Sequence, residues 1–105
     1  MKPTVKINIQ ETLGKTKAIS TEDGNKIFTI IKMNFISEKK VELDFSNIQL
    51  IITAFFNAAI GQLYSEYESA FLQENLYITN ITKEDILTLK YAIDRAKEFF
   101  NDKKN

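Results

Sequence analysis

The chain has 105 residues, and its 14 Lys plus Arg balance its 14 Asp plus Glu, so the formal net charge is zero. It contains no His, Cys or Trp, which excludes Ser-His-Asp and Cys-His nucleophiles, imidazole or thiolate zinc sites and any disulfide framework, leaving only carboxylate, Lys, Tyr or hydroxyl chemistry. Arg95 is the single arginine and the lysines are spread along the chain, which argues against a nucleic-acid binder, whose footprint is a cluster of cations.

Val5, Ile7 and Ile9 alternate with Lys6, Asn8 and Gln10, the period-2 pattern of a half-buried strand with one wet face. Gly14 punctuates the chain, and residues 15–19 read as a short second strand returning as a hairpin. Ser20-Thr21-Glu22-Asp23 then supplies a hydroxyl cap followed by acids, which suit the positive end of a helix dipole. Gly24, Ile27, Phe28, Ile31 and Phe35 form the apolar stripe of that helix, widened by Ile30, Met33 and Ile36, and the helix ends near Ser37.

Val41, Leu43 and Phe45 alternate with Glu42 and Asp44, a strand reached by helical crossover and stopped by Ser46 and Asn47. Residues 48–52 are apolar but too few for a helix and read as a buried strand-to-helix connection. Thr53 is placed as the N-cap of a second helix over residues 54–67, buried through Phe56, Ile60, Leu63 and Tyr67. Gly61 inside that helix costs about 1 kcal/mol relative to Ala, so close packing on its small side with Ala58 and Ala59 is expected.

Residues 76–80 read as a third main strand, and Thr82 caps a last helix with Asp85 at the N3 position. The inner face of this helix is Ile86, Leu89, Ile93, Ala96 and Phe100, and residues 102–105 should fray into solvent. The expected fold is α/β, one domain over residues 1–105, with a mixed sheet of about four strands and three helices in the order β-β-α-β-α-β-α. At this length folding buries roughly 65% of the unfolded chain's surface, enough for a core. No apolar run approaches the roughly 20 residues that span a bilayer, so a soluble, cytoplasmic protein without membrane or nucleic-acid contacts is expected.

In open α/β sheets ligands meet the carboxyl ends of the strands, where loops lead into helix N-termini. The candidates there are the Ser20-Thr21 cap, then Asp44, Ser46 and the Thr53 cap, then Asn80 and the Thr82 cap. A small molecule or nucleotide could bind such helix starts, although each hydroxyl is also what an ordinary cap needs. Asp44 could act as a general base only with a partner in hydrogen-bond reach, which the sequence does not supply. Glu66, Glu68 and Glu74 lack metal-site offsets, the three glycines are too far apart for a phosphate loop, and no cofactor is expected. The tyrosines 64, 67, 77 and 91 with Phe55 and Phe56 could form a partner face or simply core.

The segment Leu43-Asp44-Phe45, the apolar residues 48–52, then Thr53, Phe55 and Gly61 resembles the STAS-like family of small bacterial domains. Residues 18–24 before the first helix and residues 76–82 fit the same pattern. The family is related in pattern to STAS domains of sulphate transporters and anti-sigma factor antagonists. In those antagonists a Ser before the second helix is phosphorylated by a partner kinase. Ala54 falls on that acceptor here, with Ile52 and Phe55 in place of the usual Asp and Gly, which leaves Thr53 as the alternative acceptor. The resemblance implies a non-catalytic regulatory module that binds a protein partner, such as a kinase-like ATPase or a sensor, through Asp44, Ser46, Ile52, Thr53, Ala54 and Asn57. A second copy could pair at the first strand or at residues 76–80.

Overall fold

The computed structural model of the chain describes residues 1–104, with side chains described through Phe100. The elements in order are β1 (Thr4–Asn8), α1 (Ile9–Leu13), β2 (Lys17–Ala18), α2 (Thr21–Ile36), β3 (Lys40–Asp44), β4 (Leu50–Ile51), α3 (Thr53–Ala59), a 3-10 helix (Gly61–Ser65), α4 (Ser69–Asn75), β5 (Leu76–Thr79) and α5 (Lys83–Lys104). The fold is α/β, but its pairing differs from the expected mixed four-stranded sheet. β1, β3 and β5 form a three-stranded sheet with β3 in the centre, and β2 and β4 form a separate two-stranded sheet; every pair is parallel. Five α-helices stand among the described residues where three were expected.

Three local corrections follow from identifiable chemistry. The first strand stops at Asn8 because the Asn8 side chain accepts the Glu11 N–H at 2.8 Å and caps α1, which Gly14 closes with a left-handed φ of 74°. The short second strand does not return on the first as a hairpin. Instead Ala18 pairs with Ile51, so the segment read as a mere connection, residues 48–52, contains β4. The helix expected over residues 54–67 breaks at Ile60 into the 3-10 helix. There Gly61 has low helix propensity, and the Gln62 amide donates to the Ala58 carbonyl at 3.0 Å, competing with the backbone. The backbone of α5 continues through Lys104, into the tail expected to fray; Asn105 lies outside the described residues.

The three-stranded sheet has one dry and one wet face, as its alternation requires. Ile7, Val41 and Leu43 are buried toward the helices. Lys6, Glu42 and Tyr77, one register row on the other face, carry polar groups, where the Thr79 hydroxyl donates to Glu42 Oε2 at 2.8 Å and Lys40 Nζ donates to the Tyr77 hydroxyl at 3.3 Å. α2 is capped by Ser20, whose Oγ accepts the Asp23 N–H at 3.0 Å, and buries Gly24, Ile27, Ile31 and Phe35. Met33 and Ile36, expected to widen that stripe, are exposed, as is Ile86 on α5; these positions fall outside the arc that a neighbouring element covers. Phe35 meets Tyr67 and Phe71 edge-on with ring centroids 5.2 Å apart in each case, tying the end of α2 to the segment after the 3-10 helix. Among the described residues no helix is long and apolar enough to cross a membrane.

α2 packs closely on α3, and the contact turns on a glycine other than the one expected. A Cβ on Gly24 would lie 2.6 Å from Ala58 Cβ and 2.7 Å from the Phe55 carbonyl oxygen, whereas on Gly61 it would meet Ala96 Cβ at an ordinary 3.6 Å. Gly24→Ala should therefore destabilise by about 2 kcal/mol despite better helix propensity, because the α2–α3 contact must open. Gly61→Ala should stay within about 1 kcal/mol of wild type. Urea midpoints of the two variants check this ordering, and equal midpoints would refute the close-contact account.

Candidate functional site

Two groups of side chains gather the sequence candidates. The first lies at the carboxyl end of the three-stranded sheet. Asp44, the last residue of the central strand, is only 4% exposed. Its Oδ1 accepts from the Ser46 hydroxyl at 2.6 Å, the Ser46 N–H at 3.0 Å and Asn80 Nδ2 at 2.8 Å; its Oδ2 accepts from Asn8 Nδ2 at 3.1 Å. Asn8 ends β1 and Asn80 follows β5, so one carboxylate joins the ends of all three strands. Lys6 Nζ stands 3.6 Å from Oδ2 but is largely in solvent, where an ion pair contributes little.

These donors hold the Asp44 carboxyl well below its ordinary 3.8. The Ser46 hydroxyl acts most strongly, then the Asn80 amide; burial opposes them, and the Ser46 N–H and the Asn8 amide add to the lowering. A carboxylate so stabilised as an anion is a poor proton acceptor. Among the described residues no three acidic groups converge closely enough to hold a metal ion.

The second group forms a groove of about 440 Å³ between the α3/3-10 segment and the C-terminal half of α5, lined by Thr53, Asn57, Gln62, Tyr91, Arg95 and Phe99 among others. Thr53 is the first residue of α3; Ile52, not Thr53, is the N-cap, and it offers no side-chain bond. Neither Thr53 nor Asn57 has a side-chain hydrogen bond among the described residues, whereas the Gln62 amide is used by Asn25 Oδ1 at 2.7 Å and by Ala58. Ile52 is exposed, as is Leu50 on β4, and Ala54 is half-buried.

The structure thus joins Asp44 and Ser46 with Asn80, and Thr53 with Asn57. The hydroxyls of Ser20 and Thr82, named for an anion site, are used as caps; that of Thr82 accepts the Asp85 N–H at 3.1 Å. The sequence reading missed Asn8, although Asn8-x-x-Glu11 is a cap pattern that could have revealed it. It also missed that Arg95 lines the same groove as Thr53, which has no signal in local spacing.

A family model described as a STAS-like domain of unknown function matches residues 23–85. The chain belongs to that family. No curated protein and no solved structure matches it. The matched span of the STAS-like domain holds the α2–α3 contact, Asp44 and its loop, Asn80, and the Thr53–Gln62 wall of the groove; Asn8 and the α5 wall from Tyr91 to Phe99 lie outside it.

Because the folded carboxyl of Asp44 titrates below the unfolded one, its contribution to stability is complete above about pH 4 and is lost as pH falls toward the folded value, where the unfolded chain binds the proton first. Asp44→Ala leaves three side-chain donors unmatched and should cost about 3 kcal/mol at neutral pH. Urea unfolding from about pH 6 to about pH 2 should show a shallower loss of stability in the acid range for Asp44→Asn than for wild type; parallel profiles would contradict this role.

Proposed function

We propose that this STAS-like domain is a non-catalytic regulatory module that docks a protein partner through the surface running from the Asp44–Ser46 loop over Ile52, Thr53 and Ala54 to Asn57. The observation that carries this reading is the exposure of the aliphatic side chains of Leu50, on β4, and Ile52, the N-cap of α3, directly before the groove at Thr53 and Asn57. Exposed apolar groups that adjoin a groove mark a contact site better than those scattered singly elsewhere on the surface. Asp44, saturated by donors, supports a positioning role for that loop rather than acid-base chemistry. On this reading the domain needs no cofactor and works in the bacterial cytoplasm, in signalling or transcription control, its partner a kinase-like ATPase or a sensor.

One observation favours a second reading, a phosphorylation switch at Thr53. The Thr53 hydroxyl lines the groove that also holds Arg95 and has no side-chain hydrogen bond among the described residues, so a phosphoryl group there would find a guanidinium nearby. Intact-mass analysis of protein from its native host should then show one phosphate that Thr53→Ala removes.

Crosslinked affinity capture tests the docking surface. A partner retained by wild type and by Met33→Glu, exposed on α2, should be reduced more than about tenfold by Ile52→Glu. An identical captured set for Ile52→Glu and wild type, or no retained protein at all, would overturn the module reading.

A further inference from the structure

The groove has one charged lining side chain, and it is the chain's single arginine. Arg95 Nη1 donates to the Tyr91 hydroxyl at 3.1 Å, and its guanidinium carbon lies 5.7 Å from that ring's centroid. Among the described residues no carboxylate forms an ion pair with it. A guanidinium carries five donors in a planar fork, so Tyr91 orients it while most of its donors remain available. Across the groove, the Thr53 hydroxyl and the Asn57 amide offer further polar groups.

Tyr91, Arg95 and Phe99 follow one another at four-residue spacing on α5, with the two aromatic side chains 55% and 53% exposed. Four helical residues advance about 6 Å. Alternate residues of an extended chain, which point to the same side, are separated by about 6.6 Å. An extended segment lying along α5 would therefore set an acidic side chain on Arg95 and an apolar one on each aromatic neighbour.

Resting on the module reading above, we infer that the groove binds an extended segment of the partner protein with the pattern apolar-x-acidic-x-apolar. Arg95 holds the carboxylate, and Thr53 and Asn57 face the segment's backbone. The positive charge of the groove selects against a basic segment, and the planar fork selects for a carboxylate over a neutral amide.

The probe is a fluorescein-labelled peptide containing Leu-Ser-Glu-Ser-Phe, compared by anisotropy with versions carrying Gln or Lys in place of Glu. The Glu peptide should bind with an affinity that falls as salt is raised. The Gln peptide and the Arg95→Gln variant should each weaken binding about tenfold or more, the Lys peptide should not bind, and Arg95→Lys should restore only part of the affinity. Arg95 is exposed, so Arg95→Gln should keep the wild-type melting point, which separates lost binding from lost folding. Equal binding of the Glu and Gln peptides, an unaffected Arg95→Gln variant, or displacement by free glutamate at equimolar concentration would overturn the inference. So would a Glu peptide that fails to bind while Ile52-dependent capture of a partner persists, a result that leaves the module reading standing.

Discussion

The carboxylate of Asp44 is the constraint on which the functional end of the molecule depends. Taking a charge to 4% exposure is costly unless every lone pair is matched, and here four hydrogen bonds from Ser46, Asn80 and Asn8 match it. Each bond also fixes a departure of the chain from the sheet. Asn8 turns β1 into α1, Ser46 closes the turn that leads to β4 and then Thr53, and Asn80 bends the exit of β5 toward the cap of α5. Asn47 and Asn80 take positive φ values of 63° and 56° in these turns, a conformation that asparagine tolerates better than most residues. One side chain thus sets the direction of three loops.

The second constraint acts through absence of a side chain. Gly24 lets α2 meet Ala58 and the Phe55 carbonyl of α3 more closely than any Cβ would allow. That contact holds α3 against α2, which itself packs on the central strand, while α5 packs against α3 as well. The break at Ile60 then turns the chain into the 3-10 helix, which packs with α3 against α5. The groove at Thr53 is the space these three segments leave between them. Its existence follows from the close α2–α3 approach and the broken helix together.

Much of the chain was legible because its signals are local. Ser20 and Thr82 were placed as caps and each accepts the N–H three residues on; the stripe Gly24, Ile27, Ile31 and Phe35 is buried as its spacing requires. The alternation of Val41, Leu43 and Phe45 likewise identified the central strand. The misreadings occurred where local preference was balanced. Residues 48–52 suit a strand or a buried connection equally, and only pairing of Ile51 with Ala18 decides between them. Residues 54–67 carry a continuous helical stripe, yet Gly61 and the Gln62 side chain tip the backbone out of it.

The family pattern was also readable before the fold was known, since the order Leu43-Asp44-Phe45, Thr53, Phe55, Gly61 is linear information, and the family match spans residues 23–85. By itself, then, the sequence determined the α/β class, the caps at Ser20 and Thr82, the buried stripe of α2 and the family, because periodicity and capping depend on residues within a few positions of one another. Tertiary structure alone decided that Asp44 would be satisfied from Asn8 and Asn80, both 36 positions away, that Gly24 rather than Gly61 would be the close contact, and that Arg95 would line one groove with Thr53. Those outcomes depend on strand order and helix crossing, and no short window of sequence contains them.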